Sequence, residues 1–536
     1  MFKTNDLSVN ITNIFENINR LSTLVGFGEF LPAYKGAITL LEKIERLEHG
    51  DEGYYLAKAN IAAVFIDVGG MLPSEESSLL GLNILESYKT KIIELIGESD
   101  YFYNLSNAKS NLVGIKNPFE QTFDTVEEHL AVKNDLWKAI KLSKQQNKQA
   151  KYTFIVNLGN TLKQQFRISE ALKCYDSVNT LKLDVPQAWI NRSVSLVMLN
   201  TISSTYTVQM FKQIIEGYIK ARDSQVIPSQ WKEFYQSQVS FFQLELNKIT
   251  NVLNIKNDEH DEAITQKEYQ ALSDYRKFCL EQYLTLSEHG LYCKCAGSAR
   301  DNLTIPTNEG IVGDFIIPME MVLNRAKSEF SLARRMYYEC LVDEEFDELT
   351  HESCFSELHN DELLGINVEK MRTAFRLCFG VLDKIAVAIC ELFDVYPPNK
   401  NVSFQSFWQL DRDDRRNKFN KIKNPGLLAL YSIATDLNEK KDGEWAFLKS
   451  WRNDLEHKFL VVHKNECPND MYKSYGFSEE IVFIKEGEFI YHLEQLFQIT
   501  RSAIFSFVFA VRDKAISEHV ENGIYIPMPI DRKNFI

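Results

Sequence analysis

Residues 152–189 read YTFIVNLGNTLKQQFRISEALKCYDSVNTLKLDVPQAW, and this stretch decides the architecture of the front half of the chain. Leu158-Gly159 is followed by Leu162, Ala171, Tyr175 and Val178. At these spacings the small residues let two antiparallel helices approach closely, and an aromatic ring fills the gap between them. Trp189 follows Ile155 by 34 residues, so a second helix pair begins where the first ends.

Toward the N-terminus, Tyr54 to Phe65 is a helical run answered by Ser77 to Ile96, and Asn104-Leu105-Ser106-Asn107 echoes Asn157-Leu158-Gly159-Asn160. These read as degenerate copies of the same unit. Helical patterns continue through Val208 to Ile219 and Trp231 to Leu246, so residues 1–250 are expected to stack as a helical solenoid. The unit resembles the tetratricopeptide repeat. That resemblance implies a concave groove able to take a peptide, a protein or a phage-derived trigger. The polar stretch Asn251 to Glu262 reads as a linker, and residues 251–320 as that linker with a connecting helical segment.

Residues 321–536 form a different module, predicted to be helical at Arg325–Cys340, Val368–Phe393, Leu427–Leu437, Ala446–Val462 and Leu493–Ile516. Met371, Phe375, Cys378, Leu382, Ile385 and Ile389 recur at three- and four-residue spacing, as do Leu493, Leu496, Thr500, Ala503, Phe507 and Val511. Each set lines a bundle core. Val482–Ile484 and Phe489–Tyr491 flank Glu486-Gly487 and are expected to form a small β-hairpin, so the whole chain reads as all-α with one β insertion.

The chemistry concentrates in Trp451-Arg452-Asn453-Asp454-Leu455-Glu456-His457-Lys458-Phe459. On a helix, Leu448, Trp451, Leu455, Phe459 and Val462 fall in a stripe about 80° wide, which is the expected core face. Asn453 and His457 lie roughly opposite it, with Leu460 and Val461 beside them. A helix apolar on two sides packs on two surfaces, one in its own bundle and one against a second copy of the chain. Arg452 and His457 are about 140° apart at 100° per residue, so a symmetric pair brings two Arg-Asn-His sets to one phosphate more easily than a single helix does.

These residue types suit RNA cleavage by internal transesterification. Histidine titrates close to neutral pH and can take the proton of a 2′-hydroxyl, while its counterpart in a second copy protonates the leaving 5′-oxygen. Arginine stays charged and stabilises the phosphorane. Asn453 orients the imidazole or the phosphate, and no metal or cofactor is called for.

The pattern Arg452-Asn453-x-x-x-His457 in a late helix of a helical bundle resembles the signature of HEPN ribonucleases. Phe375-Arg376 with Leu382-Asp383-Lys384-Ile385-Ala386, Asn424-Pro425-Gly426-Leu427-Leu428-Ala429-Leu430-Tyr431, and Tyr275-Arg276-Lys277-Phe278-Cys279-Leu280 resemble the HEPN subfamily found C-terminal to tetratricopeptide repeats. The similarity covers roughly residues 270–520. It implies a homodimer and a metal-independent endoribonuclease, with transfer RNA as a candidate substrate and a toxin or antiviral-defence role. HEPN proteins paired with a nucleotidyltransferase often carry a tyrosine two residues after the histidine, for modification with AMP. This chain has Phe459 there, which puts that form of silencing in doubt.

The competing expectation is a non-catalytic interaction protein, whose groove binds a partner while its bundle dimerises or holds RNA. For Arg452 and His457 the plain structural reading is a solvated helix surface with an Arg452–Glu456 pair. Asp383 and Lys384 interrupt an otherwise apolar helix, either as a buried pair steadying the active-site helix or as an ordinary salt bridge. Arg415, Arg416, Lys418, Lys421 and Lys423 form a basic run that either guides RNA or is a solvated face.

Composition bounds the rest. A chain of 536 residues, 45% hydrophobic and 25% charged, is ordinary globular material. A net charge of -14 excludes broad, non-specific coating of nucleic acid, so RNA contact has to be local. The apolar run Ala503 to Val511, bracketed by Arg501 and Arg512, is too short for a membrane span, and a cytoplasmic protein is expected. Nine scattered cysteines fit a reducing compartment. Cys293-x-Cys295 with Cys279 and His289 nearby, and His351, Cys354 and His359, are zinc-capable residue types without paired CxxC spacing, and no metal site is expected from them. The phosphate-loop pattern, the Gly-x-Ser-x-Gly elbow and His-Glu-x-x-His are all absent, which argues against nucleotide, serine and zinc-protease hydrolysis.

Overall fold

The computed structural model describes residues 11–47, 51–117, 121–146, 151–181, 183–205, 207–253, 262–307, 313–342, 363, 365–399, 401–464 and 481–522. The α-helices in chain order are α1 (Ile11–Gly26), α2 (Phe30–Ile44), α3 (Glu52–Met71), α4 (Glu75–Ser87), α5 (Lys89–Ile96), α6 (Glu98–Lys116), α7 (Phe123–Gln146), α8 (Lys151–Gln164), α9 (Ile168–Asn179), α10 (Pro186–Ser203), α11 (Val208–Asp223), α12 (Ser229–Leu253), α13 (Glu262–Gln270), α14 (Asp274–Glu281), α15 (Ile316–Val342), α16 (Ile366–Leu392), α17 (Asp413–Asn420), α18 (Pro425–Asp436), α19 (Phe447–His457) and α20 (Glu486–Asn522). Two short strands, β1 (Phe459–His463) and β2 (Ile481–Lys485), and two 3₁₀ turns, His289–Leu291 and Glu439–Lys441, complete the described elements. The fold is all-α with a small β insertion.

By their internal contacts the residues divide into two units, one of Met1–Gln164, Cys174–Asn191 and Tyr218–Ser237, the other of Gln165–Lys173, Arg192–Gly217 and Gln238–Ile536.

In the first unit, small residues let helices touch. A Cβ on Gly69 would lie 2.9 Å from the Ser78 nitrogen, and one on Gly81 would lie 2.9 Å from the Ala62 oxygen, so α3 and α4 meet backbone to backbone. Tyr54, Ile61, Phe65, Leu85, Ile92 and Tyr101 fill the core around that contact. The quoted repeat shows the same device. A Cβ on Gly159 of α8 would lie 2.8 Å from the Tyr175 ring, and the Tyr175 hydroxyl donates to Asn160 Oδ1 at 2.8 Å.

In the second unit, α15 packs along α16, α18 packs along α20, and α20 also meets α15 and α16. Every residue of the two expected core stripes of α16 and α20 is buried. Asn424-Pro425-Gly426 shows how α18 begins. Asn424 caps the helix by accepting from the Leu427 N–H at 2.8 Å, Pro425 stands where its missing N–H is harmless, and a Cβ on Gly426 would come within 2.5 Å of the Ser506 oxygen. Glycine is thus required where α18 crosses α20. The side-chain amide nitrogen of Asn424 donates to the Ala510 oxygen at 3.0 Å and to Asp513 Oδ2 at 2.9 Å.

Two sequence expectations change here. The hairpin is replaced by a parallel pair in which Phe459 faces Ile481 and His463 faces Lys485, and Glu486-Gly487 is the first turn of α20. Acidic residues suit a helix N-terminus, and Glu-Gly lacks the residue at the first turn position that a tight hairpin favours. The helix expected over Ala446–Val462 ends at His457, because the next residues, Phe459-Leu460-Val461-Val462, are strand formers that pair with β2.

Candidate active site

Helix α19 is held against the bundle by Trp451 and Leu448. Trp451 lies nearly parallel to Phe489 of α20, with ring centroids 6.2 Å apart, and meets Phe447 at 5.1 Å and His492 at 5.1 Å edge to face. Phe375 of α16 closes the nest at 6.4 Å. Large aromatic groups held at these separations bury most of their surface and set a helix's rotation. Leu448, fully buried, anchors the first turn.

That rotation leaves the signature residues outside. Asn453 and His457 are exposed and Arg452 is partly exposed. Arg452 Nη2 lies 3.9 Å from Asp383 Oδ2 of α16, while Asp383 Oδ1 accepts from the Phe404 N–H at 2.9 Å. Asp383 therefore holds the arginine toward α16 and is itself held by the chain around Phe404. The expected Arg452–Glu456 pair is not formed. Glu456 turns to Arg376 Nε at 4.0 Å. Lys384 does not pair with Asp383, and its Nζ lies 2.9 Å from Glu329 Oε2 of α15.

Because α19 stops at His457, Leu460 and Val461 belong to β1 and do not supply a second apolar helix face. This corrects the expectation that the helix packs on two sides. The core stripe is shortened likewise, since Phe459 is 61% exposed and Val462 is buried in the strand. On the helix that remains, Arg452 and His457 are five residues apart, about 7.5 Å along the axis and about 140° around it. Lys458 closes the helix in an extended conformation, its N–H donating to the Asp454 oxygen at 3.0 Å.

The basic run divides. Arg415 is 4% exposed, and its guanidinium donates to the Phe407 oxygen at 2.6 Å, the Tyr396 oxygen at 3.0 Å and the Trp408 oxygen at 3.3 Å. Burial holds its pKa below the usual arginine value. It is a brace of this loop and cannot also present itself to RNA. Arg416 Nε donates to the Leu410 oxygen at 2.9 Å, and Lys418 Nζ lies 3.1 Å from Asp394 Oδ2. Lys421 and Lys423 are exposed.

Two further cations, Arg372 and Arg376 of α16, border the site. Arg372 Nη2 donates to the Leu460 oxygen of β1 at 2.6 Å, and both arginines lie near Glu369. They stand one turn apart on α16, next to the junction of α19 and β1. Their four-residue spacing was the available signal. His351, Cys354 and His359, considered above for zinc, lie outside the described residues.

The first unit holds a cavity of about 510 Å³ whose lining includes Asp67, Tyr103, Asn107, Asn111, Asn157 and Asn160. Asn107 and Asn160 are the matching last residues of the two echoed quartets. Asn157 Nδ2 donates to Asn107 Oδ1 at 2.8 Å, and Asn111 Nδ2 to the Ile66 oxygen at 2.7 Å. Side-chain amides line this groove, with both donors and acceptors to offer.

Residues 313–514 match the family model described as LA2681-like HEPN. The C-terminal part of the chain therefore carries a HEPN domain, and α19 lies inside it. No curated protein and no solved structure matches the chain. Among the described residues no helix is long and apolar enough to cross a membrane.

Proposed function

We propose that the HEPN domain of this chain is a metal-independent endoribonuclease, acting as a homodimer. The observation that carries the reading is the presentation of α19. Trp451 pins one side of the helix inside the bundle, while His457 and Asn453 stay exposed and Arg452 is steered by Asp383.

In the reaction, His457 removes the proton of a ribose 2′-hydroxyl, and the 2′-oxygen forms a bond to phosphorus. The bond from phosphorus to the 5′-oxygen breaks, and a second imidazole, His457 of the other copy, returns a proton to that oxygen. Arg452 neutralises charge on the phosphorane through its planar fork. Asn453 orients the scissile phosphate. Lys418, Lys421 and Lys423 are the exposed lysines of the basic run and would meet an RNA backbone, and Arg376 borders the helix. Transfer RNA is the substrate class the family resemblance favours, and a toxin or antiviral effector is the role it fits.

The test is the chemistry of the cut ends. RNA from cells arrested by the protein, and RNA incubated with purified protein in magnesium-free buffer, should gain 2′,3′-cyclic phosphate and 5′-hydroxyl ends. Growth arrest without new ends, or ends bearing 5′-phosphate, would overturn the reading.

The amide-lined cavity of the first unit favours a second reading, a non-catalytic protein that recognises a partner through its repeats. On that reading Asn107→Ala with Asn160→Ala abolishes the cellular phenotype, and His457→Ala leaves it intact. On the nuclease reading the same groove receives the trigger, so both sets of variants lose the phenotype.

A further inference from the structure

A second cluster lies outside α19, in the connection between α14 and α15. The ligand atoms of His289, Cys293 and Cys295 all lie within 4.8 Å of one another. The spacing gave no reason to expect this, since it lacks a CxxC pair. Local turns create it.

His289–Leu291 is a single 3₁₀ turn, and the Cys293 N–H donates to the His289 oxygen at 2.9 Å, which sets imidazole and thiol on one side. The Cys295 oxygen accepts from the Ser298 N–H at 3.2 Å and from its hydroxyl at 2.7 Å, which fixes the turn that follows the second cysteine. A Cβ on Gly290 would lie 2.6 Å from Thr285 Oγ1 and 2.9 Å from the Ser298 oxygen, so only glycine lets the two turns come this close. Outer contacts steady the set. The rings of His289 and Tyr292 are 5.0 Å apart, and the Tyr292 hydroxyl is 2.9 Å from Thr207 Oγ1.

We infer that His289, Cys293 and Cys295 bind a zinc ion. Two thiolates and an imidazole are the donor set that a borderline-soft divalent cation prefers over oxygen ligands. Zinc with bonds of about 2.3 Å to sulfur and about 2.0 Å to nitrogen holds such ligands roughly 3.5–3.8 Å apart, which small side-chain rotations reach from the observed geometry. Among the described residues no fourth His, Cys, Asp or Glu joins the group, so a solvent oxygen takes the fourth tetrahedral place. The ion would clasp the two turns beside Glu288, whose carboxylate lies 2.6 Å from Arg512 Nη2 of α20. This inference stands independently of the nuclease reading.

The full chain, purified reduced and without chelators from zinc-supplemented medium, should carry about one zinc per chain by elemental analysis. Cobalt substitution should give thiolate-to-metal charge-transfer absorption and the visible bands of a tetrahedral site. Cys293→Ser and Cys295→Ser should each lower bound metal at least about tenfold, whereas Cys340→Ser, whose sulfur donates to the Asn367 oxygen, should retain it. Wild-type protein without zinc and without the cobalt bands would overturn the site, as would a Cys293–Cys295 disulfide found by thiol counting. Retention of zinc by folded Cys293→Ser and Cys295→Ser variants would overturn its location. If the serine variants fail to fold, the wild-type cobalt spectrum decides.

Discussion

His457→Ala should slow RNA cleavage by about 10²–10⁴-fold, the range a positioned acid or base contributes. The residue is exposed at the last turn of α19 and, among the described residues, makes no hydrogen bond or ion pair. Its removal should therefore leave folding intact, and the loss should fall on the chemical step. Arg452→Ala should cost about 10²–10³-fold through lost stabilisation of the phosphorane. Arg452→Lys should fall between, because it keeps the charge and loses the fork that also reaches Asp383. The measurement is single-turnover cleavage of a defined RNA by activated protein, with circular dichroism confirming the fold. A His457→Ala rate within about threefold of wild type would remove this residue from the mechanism.

Asp301→Ala should destabilise the second unit by about 3–5 kcal/mol, the usual consequence of deleting one partner of a buried ion pair. Arg334 is 1% exposed on α15, and its Nη1 and Nη2 meet the two Asp301 oxygens at 2.9 and 2.6 Å. Asp301 also accepts from the Leu286 N–H at 2.9 Å, and Arg334 Nη1 donates to the Leu284 oxygen at 2.7 Å. Without the carboxylate, a guanidinium stays inside with too few acceptors.

Burial by itself raises the Asp301 pKa, but the hydrogen bonds and charge of Arg334 outweigh it, and the carboxyl ends below its ordinary value. A depressed carboxylate stabilises the fold above its unfolded pKa of about 3.9, and that contribution is lost as pH falls through the lower folded value. Acid unfolding below about pH 4 should accordingly be steeper in wild type than in Asp301→Ala. Hydrogen exchange of Ile316–Val342 reads the stability directly, and a loss under about 1 kcal/mol would show that other groups satisfy Arg334.

Much of this was legible in the residues. The stripes of α16 and α20 announced themselves because each buried face repeats with the period of a helix, and Gly159 with Tyr175 announced a close helix pair. The end of α19 is hidden in the sequence because Phe459, Leu460, Val461 and Val462 also fit a helical pattern, and only their strand preference tells against it. Glu486 and Glu488 marked a helix start that a hairpin reading overlooked. In the run from Arg415 to Lys423 the charges look alike in sequence, yet one guanidinium points inward, because the chain there curls to offer three carbonyl oxygens. The cysteine and histidine cluster was illegible for a similar reason, since irregular turns carry no period.

The arginines of the second unit are of two kinds. Arg334, Arg415 and Arg512 are sealed from solvent and held by main-chain oxygens or buried carboxylates, whereas Arg452 stands where water reaches it. Dissolved electrolyte weakens attraction only between groups it can surround. On the proposed nuclease reading, raising potassium chloride should loosen polynucleotide from the exposed surface while the scaffold beneath keeps its internal cations in place, so that grip and integrity separate by ionic strength alone.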